Sequence, residues 1–441
     1  MADPLNRRHR RVAGTAGRGA TGGTGRRAGG LGQAVETLRS VLRFRPLELD
    51  PVARRLARAT SVADLRAIAR RRLPRGVFDY IDGGAEDERT MAANSGAYAR
   101  TTFRPRVLRD VGTVDPATTL LGRALPLPLV LAPTGFTRIA DPDGELAVAR
   151  AAARAGLPYT LSTLSTRSIE EVAAVGPGRR WFQVYVWRDR GLVRDMIERA
   201  AAAGYEALVL TVDTAVLGRR ERDVRRGFTL PPKIGPGTLV DGALHPGWTW
   251  AFVRAEPIRF ANVAGPGPGG GPGDGREAVS LAEYINSQFD PALSWDDVAW
   301  MRSVWDGPIV LKGIQTVEDA RLATDAGVEA IALSNHGGRQ LDGAPAPLGL
   351  VAPVADAVGD RVEIICDGGV RRGSDIVKAV ALGARAAMAG RAYLYGLGAA
   401  GERGVDHVLG LLDADVRRTM ALVGARTVAD LGPDLVSGPD P

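Results

Sequence analysis

Two periods of hydrophobic and polar positions run through this chain. Residues 61–72 carry apolar side chains at helical spacing behind Ser61, whose hydroxyl suits an N-cap. From about residue 125 a unit repeats in which a helical stretch closes on Ala-Gly or Leu-Gly and a short apolar run follows. Ala155-Gly156 leads into 159–162, Ala203-Gly204 into 207–212, Ala326-Gly327 into 330–334, and Leu382-Gly383 into 386–390. Glycine ends each helix, and an unbroken apolar run marks a strand buried on both faces. Repeated units of this kind predict a parallel sheet in an α/β protein. The predicted strands are 128–132, 158–162, 181–186, 207–212, 308–312, 329–334, 362–366 and 386–390. Eight strands suit a closed (β/α)8 TIM barrel, although the pattern alone also admits an open doubly wound sheet. Further helices are expected near 280–287, 295–304 and 404–424.

One interval breaks the rhythm. Strands four and five are separated by residues 213–307, which include the Gly-Pro tract 264–273. Such a tract cannot pack a core, so about 222–295 is expected to be a long insertion on the loop face of the barrel. The first 30 residues hold seven Arg among Gly, Ala and Thr with almost no large apolar residue, so a disordered basic tail over 1–45 is expected ahead of a single domain, 46–441. Within the tail, Gly23-Thr24-Gly25 follows no strand and is not read as a nucleotide loop.

Composition narrows the function classes. The net charge is +7, but it is spread along the chain, with no zinc-ligand cluster and no aromatic-interleaved basic patch. Neither a metal site nor nucleic-acid binding is expected. The single cysteine, Cys366, excludes a disulfide framework and fits a reducing cytosol. No apolar run is long enough to predict a transmembrane helix or a secretory signal. Cations are almost all Arg, with only Lys233, Lys312 and Lys378 as exceptions, so each Lys draws notice.

The chemistry of a barrel lies at the C-terminal ends of its strands. Here those ends read Pro133-Thr134-Gly135, Ser162-Thr163, Gln183-Val184-Tyr185, Thr211-Val212-Asp213, Lys312-Gly313, Ser334-Asn335-His336, Asp367-Gly368-Gly369 and Gly390-Arg391. Loop wetness explains a Ser or Thr, but it explains Gln183, Lys312 and His336 poorly, since each abuts an apolar run. After strands seven and eight, where this fold binds phosphate, Asp367–Gly373 and Gly390-Arg391 offer glycine N–H groups and Arg forks. Among four histidines, His336 alone ends a predicted buried strand, and Arg339 follows it closely. That pair combines a near-neutral base with a carboxylate receptor. Lys312 at the end of strand five would equally suit a flavin-free Schiff-base aldolase.

Ser334–Asp342 resembles the active-site motif of the FMN-dependent L-2-hydroxy acid dehydrogenases and oxidases. The resemblance spans about 62–432 and includes Phe78-Asp79-Tyr80, Gly84–Asp87, Pro133–Gly135, Phe182–Tyr185, Leu217–Arg220, Leu311–Gly313 and Asp367–Gly373. Gly135–Arg138 and Trp181–Arg190 are most similar to the bacterial respiratory L-lactate dehydrogenases of that family. The resemblance implies the TIM barrel with an N-terminal helical segment, and FMN as cofactor. It implies His336 as catalytic base, Asp213 as its partner, and Tyr185 on the substrate hydroxyl. Tyr80, Arg220 and Arg339 would bind the substrate carboxylate. Lys312 would sit at the flavin N1–O2 edge, with Pro133, Thr134, Gly135, Ser162, Gln183, Thr211 and Ser334 around the ring. Asp367, Gly368, Gly369 and Arg371 would take the ribityl and phosphate, closed by Gly390 and Arg391. Proton abstraction at Cα and hydride transfer with hydroxyl deprotonation both need His336.

The implied activity is oxidation of an L-2-hydroxy acid, L-lactate to pyruvate first, with electrons passed to quinone or another acceptor. Oxygen-using oxidases, lactate monooxygenase and mandelate or glycolate dehydrogenases are the alternatives within the family. Gly135 stands where oxidases often carry Ala, which points toward a dehydrogenase. Leu164 replaces an aromatic residue of glycolate oxidase, which changes the substrate pocket. Trp248, Trp250, Phe252, Arg254 and Arg259 suit either a membrane contact through 222–280 or a lid on the barrel. A homotetramer is implied, in the cytoplasm or peripheral on the inner face of the cell membrane.

Overall fold

The computed structural model describes residues 38, 40, 48–225, 235–263 and 287–438. The chain divides at Asp50, and Pro51–Pro441 holds the fold. Apart from residues 38 and 40, the tail expected over 1–45 lies outside the described residues, as does most of the helix expected over 280–287.

Eight parallel strands close a barrel. In chain order they are β1 (Leu129–Leu131), β2 (Tyr159–Ser162), β3 (Arg180–Val184), β4 (Ala207–Thr211), β5 (Ile309–Ile314), β6 (Ala330–Leu333), β7 (Glu363–Asp367) and β8 (Ala386–Ala389). Each predicted strand is present, within a few residues of the predicted bounds. Closure is made by β8 pairing β1 through Met388 and Val130, which decides between the barrel and the open sheet. Because helices cover the outside and side chains fill the inside, most strands are buried along their whole length.

The Ala-Gly signals act as read. Gly156, Gly204 and Gly327 follow helix ends at φ of 68°, 73° and 73°, the left-handed region where a side chain is strained. Ser61 caps helix Val62–Arg72 by accepting the Asp64 N–H. The helices expected near 295–304 and 404–424 form over Asp296–Arg302 and Glu402–Val423.

Helix Val62–Arg72 packs on the helix that follows β8, where a Cβ on Gly398 would come within 2.8 Å of Leu73. Helix Arg75–Asp82 then brings Tyr80 to the barrel mouth. Its end is fixed by Asp82, which accepts from Arg66 at 2.6 and 2.7 Å, from Arg222 at 3.1 Å and from Tyr395 at 2.7 Å. The insertion after β4 contains helices Pro236–Leu244 and Pro246–Arg254 and returns at 287–290, where Phe289 bridges Trp187 beyond β3.

Candidate active site

A cleft opens at the C-terminal ends of the strands. It is lined by seventeen residues expected at the site: Tyr80, Pro133, Thr134, Gly135, Ser162, Tyr185, Thr211, Arg220, Lys312, His336, Arg339, Asp367, Gly368, Gly369, Arg371, Gly390 and Arg391. Asp213, Gln183 and Ser334 stand immediately behind that wall, each bonded to a group in it or beside it.

The loop after β6 turns sharply. His336, Gly337 and Gly338 all take positive φ, at 57°, 65° and 75°. For a histidine this is a strained conformation that the surroundings must enforce. Ser334 Oγ accepts the His336 N–H at 3.0 Å. Asn335 Oδ1 accepts the Gly338 N–H at 3.0 Å, and its amide exchanges two hydrogen bonds with Asn94 at 2.8 and 2.7 Å.

That turn brings His336 Nδ1 to 2.9 Å from Asp213 Oδ1, beyond the end of β4. The Asp213 side chain is 1% exposed and that of His336 is 20% exposed. With Nδ1 donating to the carboxylate, Nε2 is left as the proton acceptor. Burial lowers the imidazole pKa below its ordinary value, and Asp213 opposes that shift without reversing it. Burial pushes the Asp213 carboxyl up, but His336 and Lys312 outweigh it and hold the carboxyl low. The pair is therefore a neutral base beside a fixed negative charge.

Two guanidinium groups share the cleft with this base. Arg339 lies 5.1 Å over the Tyr80 ring and donates to the carbonyls of Tyr80 at 2.7 Å and Gly83 at 3.0 Å. Burial, and then its neighbour Arg220, push the Arg339 pKa down to about 9. Arg220 Nε is buried without a partner among the described residues. Two neighbouring cations, one with an unpaired donor, match a bidentate carboxylate. Tyr185 completes this side, its hydroxyl pKa raised by burial and then by Asp213.

The opposite side is built on Lys312. Its Nζ lies 2.8 Å from Asp367 Oδ2 and 2.9 Å from Ser334 Oγ, and Ser334 donates to the same carboxylate oxygen at 2.8 Å. Burial disfavours the ammonium, but Asp367 and Asp213 more than compensate, so Lys312 stays charged. Gln183 accepts from Ser162 at 3.0 Å, while its buried Nε2 has no partner among the described residues. Thr134 is pinned by Tyr393 at 2.6 Å.

Gly368 and Gly369 lie under helix Arg89–Arg100, where a Cβ on Gly369 would come within 2.5 Å of the Asn94 carbonyl. Gly390 is open enough for close approach, with its nearest neighbours 3.6 Å from an added Cβ. Arg371 lines this end. Arg391 also lines it, yet its nitrogens donate to the carbonyls of Ile81, Gly337 and Gly83, so it braces the cleft wall.

These features fit FMN. An unpaired amide donor, a buried cation and a glycine-lined anion end occur in one cleft. Residues 69–438 match the FMN-dependent dehydrogenase family. The chain belongs to that family. FMN is its cofactor, and it is an oxidoreductase of 2-hydroxy acids. It is 47% identical over 400 residues to the putative L-lactate dehydrogenase of Mycobacterium tuberculosis, covering 90% of this chain and 94% of that one. It is 46% identical over 379 residues to the L-lactate dehydrogenase of Caulobacter vibrioides, covering 86% and 97%. Its fold matches the crystal structure of the monotopic membrane protein (S)-mandelate dehydrogenase with a TM-score of 0.82 at 40% identity, covering 86% of this chain and all of that one.

Gln340 lies inside the Ser334–Asp342 motif and Trp248 among the aromatic residues noted in the insertion, but what each residue supports was not legible in sequence. Gln340 donates to the carbonyls of Asp213 at 3.0 Å and Val216 at 2.8 Å and accepts the Gly218 N–H, which holds the Asp213 loop against the His336 loop. Phe260 of the insertion stacks on Phe136 at 5.6 Å, and Phe289 meets Tyr185 edge-on at 5.2 Å. Trp248 donates to the Ile139 carbonyl at 2.7 Å. Trp248, Phe260 and Phe289 of the insertion thus pack on residues at the mouth. The insertion also leaves Leu239, Val240, Leu244, Trp250 and Val253 exposed. Among the described residues no helix is long and apolar enough to cross a membrane.

Proposed function

We propose that this enzyme oxidises L-lactate to pyruvate and passes the electrons to quinone. The observation that carries the proposal is the His336–Asp213 pair beside Arg339 and Arg220, in one cleft with Lys312. Arg339, Arg220 and Tyr80 bind the carboxylate, which places the substrate hydroxyl and Cα before His336. Tyr185 holds the hydroxyl. His336 takes the proton, and Asp213 stabilises the imidazolium that results. Bound FMN supplies the acceptor for the two electrons lost by the substrate. Pro133, Thr134, Gly135, Ser162, Gln183, Thr211 and Ser334 would surround its ring, Lys312 would stabilise negative charge there, and Asp367, Gly368, Gly369, Arg371 and Gly390 would hold its ribityl phosphate end, with Arg391 bracing the wall beside them.

The names of the two relatives support lactate. Leu164, an aliphatic residue in the cleft wall, together with the mandelate dehydrogenase likeness, favours an aromatic hydroxy acid as the second reading. The exposed apolar side chains of 236–254 support peripheral contact with the inner face of the cell membrane. Assembly as a homotetramer belongs to the same reading.

Anaerobic addition of L-lactate to the yellow protein tests the function directly. Bleaching is expected. A protein that bleaches with mandelate and ignores lactate refutes the lactate assignment, and hydrogen peroxide formed as fast as dye is reduced refutes the dehydrogenase.

A further inference from the structure

A second cavity, about 670 Å³, lies between the turn after β1 and the insertion. Its walls include the stacked pair Trp248 and Phe252, ring centroids 4.6 Å apart, together with Val253, Pro257 and Ile258. Two charged side chains border this apolar setting: Glu256, whose carboxylate is paired with Arg167 at 2.9 Å, and Arg138, which is 4% exposed. Its Nε donates to Pro142 O at 3.1 Å and its Nη2 to Glu256 O at 2.6 Å, while Nη1 has no acceptor among the described residues. A flat apolar ring carrying a carbonyl oxygen satisfies both features: it packs on the aromatic pair and accepts from Nη1.

The position of the cavity says what such a ring would do. Thr137–Ile139 form a single 3-10 turn. Thr137 and Ile139 line the FMN cleft, and Arg138 between them lines the second cavity. The two cavities are therefore back to back across one turn of chain. Phe252 and Val253 line the second cavity and are also exposed, which joins it to the apolar surface of helices 236–254.

We propose that this second cavity is the quinone site. The inference rests on the proposed use of quinone as electron acceptor and adds where it binds. The hydroxy acid gives up two electrons and two protons in the main cleft as it becomes the oxo acid. Quinone takes up two electrons across the 137–139 turn and two protons from solvent, and leaves as hydroquinone. The main cleft then need not empty before the second half-reaction begins.

The test separates binding from turnover. Oxidised holoenzyme is dialysed to equilibrium against a short-chain ubiquinone analogue. Enzyme reduced anaerobically with L-lactate is then reoxidised with that quinone or with ferricyanide in a stopped-flow instrument. Ala255→Phe and Val253→Trp each add volume at the second cavity. Both are expected to weaken quinone binding and slow quinone reoxidation by about tenfold or more, with reduction by lactate and reoxidation by ferricyanide within about twofold of wild type. Wild-type quinone rates in both variants overturn the proposal, as does quinone binding that pyruvate abolishes by competition. Wild-type protein that bleaches with lactate but neither binds nor reacts with quinone overturns both the site and the acceptor while leaving the hydroxy acid reading intact. Failure to bleach with any hydroxy acid strikes that reading instead, and dialysis still decides whether the cavity holds quinone.

Discussion

Asp213→Asn isolates the electrostatic part of the catalytic pair. The substitution keeps the size of the side chain and removes its charge, 2.9 Å from His336 Nδ1. Two unit charges about 4 Å apart interact by about 4 kcal/mol at an effective dielectric of 20. A full loss in the transition state would slow the reaction about a thousandfold, and the dipole of the amide offsets part of that. The expected fall in kcat/KM for L-lactate is between about a hundredfold and a thousandfold. The amide can also present its NH₂ to Nδ1, which puts the ring proton on Nε2 and removes the base.

The pH profile supplies an independent sign. In the wild type, activity falls below the His336 pKa, which burial places under 6.5 while Asp213 pulls it partly back. Without the carboxylate that opposing pull is gone, so the acid limb of kcat/KM moves to lower pH even as the plateau drops. Steady-state rates from about pH 5 to 8, the range where His ordinarily titrates, measure both. A variant within threefold of wild type (about 0.7 kcal/mol), or one whose acid limb moves upward, refutes the reasoning.

Three further changes probe the rest of the structure. Lys312→Met leaves the Asp367 carboxylate without its cation and is expected to release FMN on gel filtration and cost about 3–5 kcal/mol in urea unfolding. Gly135→Ala puts a methyl 3.0 Å from Leu164 Cβ and 3.1 Å from Leu164 O, so the 133–135 loop must shift. Reoxidation by oxygen is expected to rise, and unchanged peroxide production removes Gly135 from the dehydrogenase argument. Burial raises the Asp82 carboxyl, but Arg66, Tyr395 and Arg222 outweigh it and leave it low. Its stabilisation is therefore complete above pH 3.8, the ordinary carboxylate value, and is lost as pH falls toward the lower folded value. Asp82→Asn is expected to lose about 2 kcal/mol at neutral pH and to show a flatter acid limb in thermal melts.

What could be read from the chain alone follows the reach of each interaction. The strands were legible because burial on both faces leaves an unbroken apolar run, and the helix ends because a left-handed residue there is nearly always glycine. Gln183, Lys312 and His336 stood out because a barrel confines chemistry to one end of each strand, so a polar residue abutting a buried run is conspicuous. The supports of those residues obey no such local rule. Gln340 ties down 213–218, and Asn94 grips Asn335 from a helix in a different part of the chain. In sequence Asn94 is one more polar residue on a helix, and Gln340, although inside the Ser334–Asp342 motif, shows no sign of the loop it holds. Arg138 belongs to the Gly135–Arg138 stretch that carries the family resemblance, but its burial and its bond to Glu256 of the insertion are not legible there. Strain makes the point at His336 itself. A histidine at a φ of 57° persists only because Ser334, Asn335 and Asp213 hold it there. The motif therefore encodes the base and part of its geometry, and the distant residues Asp213 and Asn94 encode the rest. Substitutions at Asn94 or Gln340 should accordingly lower kcat while the residues that touch substrate stay unchanged.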